Sequence, residues 1–330
     1  MKDLFYNDTE YLKEDADGNF LFPKDWIQVF RFPFKAPKQQ NESMVLQIFL
    51  EKESREDARR LGNLLFLLYN RPFALKRQME DYLEELNLKP ADGLDRLLDF
   101  ALSEHFLNCF TFKEKEGETI PRDALKIYCL DHASRYVLGH FYKEEILYTW
   151  NRFRAYAGGL QVSRVLLLND LYLALKKHDG GHVKDMASPI TFYYNHKNLF
   201  FHGGFYVKNE KGTREYLIEV VREDDLPGFW RSKVTEEIAP FLTEGRGRDY
   251  TEPNWQHYFE REPALLILGD TLESLREAAD LYERGTGKHL YRLCLISELS
   301  KGLASMTLYR YSMENGKVEA TKSTALHLVM

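Results

Sequence analysis

Apolar residues recur along this chain at two spacings, one helical and one alternating. Leu61, Leu64, Leu65 and Leu68 share one helix face, and the pattern stops at Arg71-Pro72, where proline cannot extend the hydrogen-bond ladder. A second helix is predicted over 74–86, with Leu75, Met79, Tyr82 and Leu83 on its apolar face, and a third over 91–103, burying Leu94, Leu97, Leu98 and Ala101. Two strand-like runs follow, 106–113 and 125–130, joined by a polar loop whose Gly117 suits a hairpin turn. Three short helices and a two-stranded wing predict a winged helix-turn-helix. Ahead of them, aromatic and polar residues alternate around Pro23, Pro33 and Pro37, with a strand predicted over 44–50. Behind them a long helix carrying Phe141, Ile146, Leu147 and Trp150 is expected to end at Gly158-Gly159.

Beyond that glycine pair the pattern changes. It predicts a helix over 160–177, then strands over 190–194, 199–201, 205–207 and 216–221. A helix over 229–242, a strand over 264–268, a helix over 271–284 and a strand over 291–296 follow, with closing strands over 306–311 and 325–329. Strands alternating with helices after an antiparallel meander imply a mixed α/β sheet with helices on its faces. The expected division is therefore an N-terminal extension with a short strand (1–58), a winged helix-turn-helix (59–140), a connecting helix (141–159) and an α/β domain (160–330).

Composition narrows the class. Of 330 residues, 44% are hydrophobic and 29% charged, as in a globular protein rather than a disordered one. Cys109, Cys129 and Cys294 are odd in number and set among apolar residues, so they read as buried thiols of a reducing, cytoplasmic compartment. No apolar run approaches the roughly 20 residues that cross a bilayer, and the first residues do not read as an export signal. A formal net charge of −6 removes any overall electropositive face, so contact with nucleic acid must come from a local patch.

The order of these pieces resembles the replication-relaxation family of mobile-element and plasmid proteins. The residues that carry the likeness are Tyr128-Cys129-Leu130-Asp131 after the wing, Leu138-Gly139-His140, Asn169-Asp170-Leu171-Tyr172-Leu173-Ala174-Leu175, and Ile218-Glu219 with Lys233 downstream. In that family a winged helix-turn-helix precedes a restriction-endonuclease-like domain. The resemblance implies a DNA-associated protein with Glu219, Lys233 and Asp170 at a catalytic or vestigial centre, where Glu219 and Asp170 would be the metal ligands. Two departures stand out. Gly203-Gly204 replaces the family's Pro-Asp pair, and Val221 stands where an acid often follows the strand glutamate. Nuclease chemistry needs two or more carboxylates around the ion and a lysine near the attacked phosphate.

Other signals divide between sharp and ordinary readings. Lys76, Arg77, Arg96 and Lys113 on the helices and wing, with Arg152 and Arg154 beside Trp150, Phe153 and Tyr156, are the candidate DNA contacts. Against them, residues 84–104 hold six acidic and only two basic residues, an arrangement suited to docking protein. His178 and His182 stand four apart, but Asp179-Gly180-Gly181 interrupts any helix between them, so these and His196 and His202 read as polar loop histidines rather than zinc ligands. The basic run Gly245-Arg246-Gly247-Arg248 reads as a solvated loop. Gly285-Thr286-Gly287-Lys288 follows a helix instead of preceding one, and so reads as a helix C-cap rather than a phosphate loop. No Gly-x-Ser-x-Gly elbow is present. The expected function is a non-catalytic, DNA-associated replication or transfer accessory of a mobile element, a possible homodimer that needs no cofactor. The alternatives are a Mg²⁺-dependent endonuclease using Glu219, Asp170 and Lys233, and a protein–protein adaptor with an acidic winged helix.

Overall fold

A computed structural model describes residues 27–32, 41–51, 55–113, 120, 124–178, 183–194, 197–209, 212–222, 226–243, 254–301, 304–324 and 328. The chain divides into two compact units, Met1–Asn169 and Asp170–Met330. That division falls within a helix, eleven residues beyond the glycine pair predicted to mark it, because Gly159 begins that helix (Gly159–His178).

In the first unit β1 (Ile27–Phe30) precedes α1 (Glu42–Glu51) and α2 (Arg55–Asn70). Next come β2 (Ala74–Leu75), α3 (Lys76–Glu85), α4 (Asp95–Ser103), β3 (Leu107–Lys113) and β4 (Ile127–Leu130). The strands form one sheet in the order β1-β3-β4-β2, every neighbour antiparallel. The strand expected over 44–50 is instead α1. Its Val45 and Phe49, four apart, are the buried positions, so helical spacing and not alternation sets that run. The long helix expected over 141–159 is broken into α5 (Ser134–Phe141), α6 (Ile146–Thr149) and a 3₁₀ turn (Arg152–Ala155) before α7 (Gly159–His178). Gly117, in the loop predicted between the two strands, lies outside the described residues.

Two polar knots fix local geometry here. Gln78 accepts from the Leu75 N–H at 3.1 Å and donates to the Leu166 carbonyl at 2.8 Å, while Asn169 donates to the Phe73 carbonyl at 2.7 Å. These bonds tie the start of α3 to α7. Asp131, which stands where the resembled family reads threonine, holds His105 Nδ1 at 3.0 Å and accepts the His132 N–H at 2.7 Å. Phe73, Phe110, Phe112, Ile127, Val162 and Leu166 pack as one apolar cluster of this unit.

The second unit is a seven-stranded mixed sheet, in agreement with the α/β expectation. It comprises β5 (Val183–Ala187), β8 (Gly203–Asn209), β9 (Gly212–Val221), β10 (Ala264–Gly269), β11 (Tyr291–Leu295), β12 (Thr307–Ser312) and β13 (Lys317–Thr324), in the order β13-β12-β11-β10-β9-β8-β5. The central three, β9, β10 and β11, are parallel, and the flanking strands are antiparallel. A separate hairpin joins β6 (Ile190–Tyr194) to β7 (Lys197–Phe201). β5 has no counterpart in the sequence reading, and of the run expected over 325–329 all but Leu328 lies outside the described residues.

The connection from β9 to β10 runs through a π-helical turn (Leu226–Trp230), α8 (Arg231–Lys233), a second π-helical turn (Val234–Ile238) and α9 (Ala239–Thr243). α10 (Leu272–Thr286) leads from β10 to β11. Trp230, Val234, Ile238, Phe241, Leu275, Ala278 and Tyr282 from these helices pack on Leu217, Val221, Leu265, Ile267 and Leu293 of the sheet. Thr271 and Ser274 form a capping box at the start of α10, and Gly287 closes its end in the left-handed region at φ 65°, the C-cap expected from sequence. Cys109, Cys129 and Cys294 are all buried free thiols, and burial pushes that of Cys294 up to about 12.

Candidate functional site

β8 and β9 pair so that Gly203 stands opposite Ile218, which sets His202 opposite Glu219. Side chains at opposed positions share a face, here the face covered by the apolar helices. Glu219 is wholly enclosed, at 0% exposure. Lys233, on the short α8 between the two π-helical turns, reaches it with Nζ 2.6 Å from Oε1. The same ammonium lies 5.5 Å from the ring centres of Phe201 and of Phe229. Two aromatic faces therefore replace part of the hydration that burial removes.

His202 Nδ1 lies 2.8 Å from Glu219 Oε2 and also 3.2 Å from the Val220 nitrogen. One ring nitrogen cannot both accept from Val220 and donate to Glu219. An undonated oxygen on a buried anion costs more than a long contact from a strand N–H, so we assign the hydrogen to Nδ1, donating to Oε2. Burial alone would raise the Glu219 pKa, but the charges of His202 and Lys233 and their hydrogen bonds outweigh it and hold the carboxyl down at about 2. Both oxygens of Glu219 thus have a partner, the Lys233 ammonium at Oε1 and the His202 ring at Oε2.

The fit to a divalent ion is poor. Mg²⁺ demands several oxygen donors around it, and among the described residues no group of three His, Cys, Asp or Glu side chains is placed to hold a metal. Asp170, on α7, is not among the partners of Glu219. At Gly204 a Cβ would stand 2.5 Å from Ile190 Cδ1 and 2.8 Å from the Tyr216 carbonyl oxygen, so an acid cannot be housed there on this backbone. Val221, on the same face as Glu219, is buried among apolar side chains. We derive no metal-dependent step at this site.

Of the residues singled out in the sequence, Glu219 and Lys233 meet, and no hydrogen bond or ion pair joins Asp170 to either. His202, read as a loop histidine, is the missed member. Its signal was the strand register, since a residue directly before Gly203 faces Glu219 only once β8 and β9 pair as they do. His182, His196 and the basic run 245–248 fall outside the described residues.

The candidate DNA contacts are scattered over several elements of the first unit. Lys76 is held by Asp95 at 2.7 Å with Glu80 at 3.8 Å, and Arg96 reaches Asp57 at 2.9 Å. Arg77 is half-buried on α3, and Lys113 ends β3 opposite Ile27. Arg154 donates to the Tyr69 carbonyl at 3.1 Å with its guanidinium 5.0 Å from the Tyr69 ring centre, and Arg152 lies over Phe153.

No family model matches the chain, the replication-relaxation family included, and no curated protein matches it. Among solved structures, the restriction endonuclease FokI superposes with a TM-score of 0.28 at 14% identity, covering 74% of this chain and 43% of that one. The chain thus spans less than half the length of FokI, and a superposition at that score carries no argument here. No described helix is long and apolar enough to cross a membrane.

Proposed function

We propose that the chain is a DNA-associated protein whose first unit is a winged helix and whose Glu219 centre is a retained, non-catalytic cluster. The observation that carries the DNA reading is the element order α2-β2-α3-α4-β3-β4, with β2 paired to β4 and β4 to β3. That order and pairing support the winged helix-turn-helix reading. The closed shell around Glu219 supports the non-catalytic half, because a carboxylate whose two oxygens are taken by Lys233 and His202 has no open position for a hydrolytic ion. On this reading Arg152 and Arg154, with Lys76, Arg77, Arg96 and Lys113, make phosphate contacts, and the protein serves replication or transfer of a mobile element.

A gel-shift series on duplex DNA at rising salt tests the first half. Retardation at low salt that fades as salt rises, and that weakens in Arg152→Gln/Arg154→Gln, is the expected result. Absence of a shift at the lowest salt removes it. For the second half, supercoiled plasmid is incubated with Mg²⁺. Nicking that Glu219→Ala abolishes would overturn the claim that the centre is inert.

The ion pairs of Lys76 and Arg96 favour one other reading, a protein–protein adaptor or homodimer. Phosphate would have to displace Asp95 and Asp57 from those side chains, whereas a protein partner could use the acidic residues of α4 directly. The same gel-shift series separates the two, since the adaptor predicts no retardation of duplex DNA even at the lowest salt, where the DNA reading requires it.

A further inference from the structure

β11 and β12 share two registered pairs, Leu293 with Tyr309 and Cys294 with Leu308. Extending that register by one residue sets Arg292 opposite Arg310. Both are exposed, and both line a cavity of 620 Å³ together with Leu308, Tyr309, Met313 and Thr321. Like charges at opposed strand positions repel, so the pair is a standing cost unless an anion lies between them.

The neighbouring acids do not fill that role. Glu283, at the wall of the cavity, is engaged by the Tyr291 hydroxyl at 2.5 Å and by His289 Nδ1 at 3.1 Å. Glu314 lies on the rim, and Glu319, the strand partner of Arg310 on β13, has its Oε1 3.4 Å from Asn315 Nδ2. Arg292 donates one N–H to the Tyr291 carbonyl at 2.8 Å, out of the five a guanidinium carries.

Guanidinium forks match phosphate oxygens in geometry as well as charge. A cavity of this volume is in the range of small-molecule sites and far larger than a bare phosphate needs. Its apolar lining from Leu308 and Met313 suits an organic moiety. We propose that this cavity binds a small organic phosphate of mononucleotide size, its phosphate between Arg292 and Arg310 and its organic moiety against Leu308 and Met313. The site is independent of the DNA reading of the first unit.

Calorimetric titration of the full chain with AMP, inorganic phosphate and a short single-stranded oligonucleotide tests it. AMP should bind saturably and more tightly than phosphate. Arg292→Gln and Arg310→Gln should each weaken it by about tenfold, as expected for loss of a charge-assisted contact, while Glu319→Gln should tighten it. Unchanged melting of these exposed-site variants is the control for folding. Three results would overturn the proposal: no saturable AMP binding, equal AMP affinity in the parent and both arginine variants, or AMP no tighter than phosphate. Binding of the oligonucleotide without AMP would also overturn it, by assigning the arginines to a nucleic-acid backbone.

Discussion

Deleting the Lys233 ammonium strands the Glu219 carboxylate in the core of the second unit. Breaking one side of a buried ion pair costs about 3–5 kcal/mol, whereas replacing both partners by apolar groups is often neutral. Lys233→Met should therefore lower urea-unfolding stability by about that amount, and Glu219→Met/Lys233→Met should recover most of it. A Lys233→Met protein as stable as the parent would show that the pair is not a core element. The depressed pKa of Glu219 gives the sign of its pH dependence. Its stabilisation is complete above the ordinary carboxylate value near 4.5 and is lost as pH falls toward about 2. Glu219→Gln should flatten the acid limb of a stability–pH curve. His105 has the opposite sign. The Asp131 hydrogen bond raises its pKa against the effect of burial, so its stabilisation is present below the ordinary value near 6.5 and fades as pH rises through the raised one. His105→Gln should remove that alkaline loss. Glu219 and Lys233 were legible through the resemblance carried by Ile218-Glu219 and the downstream lysine. His202 was not, since its role arises from pairing between strands.

Elements of the second unit were largely legible, because period-two and period-3.6 runs there are bounded by turn residues. The exceptions have physical causes. The run over 44–50 is short and mostly apolar, so only burial of Val45 and Phe49 on one face separates helix from strand. Helical spacing across 141–157 conceals two breaks, where the chain turns at Lys143 and again at Trp150. Glycines give the sharpest tests at this scale. Gly287→Ala forces a Cβ into the left-handed region at the end of α10 and should cost about 1 kcal/mol, read as a lower melting temperature. Gly204→Ala meets a backbone oxygen at 2.8 Å and a buried methyl at 2.5 Å, so a loss of about 1–3 kcal/mol is expected from overpacking. Melting at the parent temperature would show that β8 can shift away from Ile190, and would reopen that position to a carboxylate.

Across the whole molecule, charge sets the limits of nucleic-acid binding. A net charge of −6 leaves only clustered basic residues to release counterions. If three phosphates are neutralised, the slope of log affinity against log salt on duplex DNA should be roughly −3, from about 0.9 per contact. A slope near zero would take phosphate contact out of the binding mode. Fold class was readable from alternating strands and helices, whereas the division into units was not, because it lies inside α7 with no break in composition to mark it. The three enclosed thiols have a practical corollary. Maleimide dyes attack exposed thiolates, so the native protein should resist labelling until it unfolds. A single cysteine placed at exposed Ser103 would then accept a fluorophore alone, giving a site-specific reporter without first stripping the chain of its own sulfur.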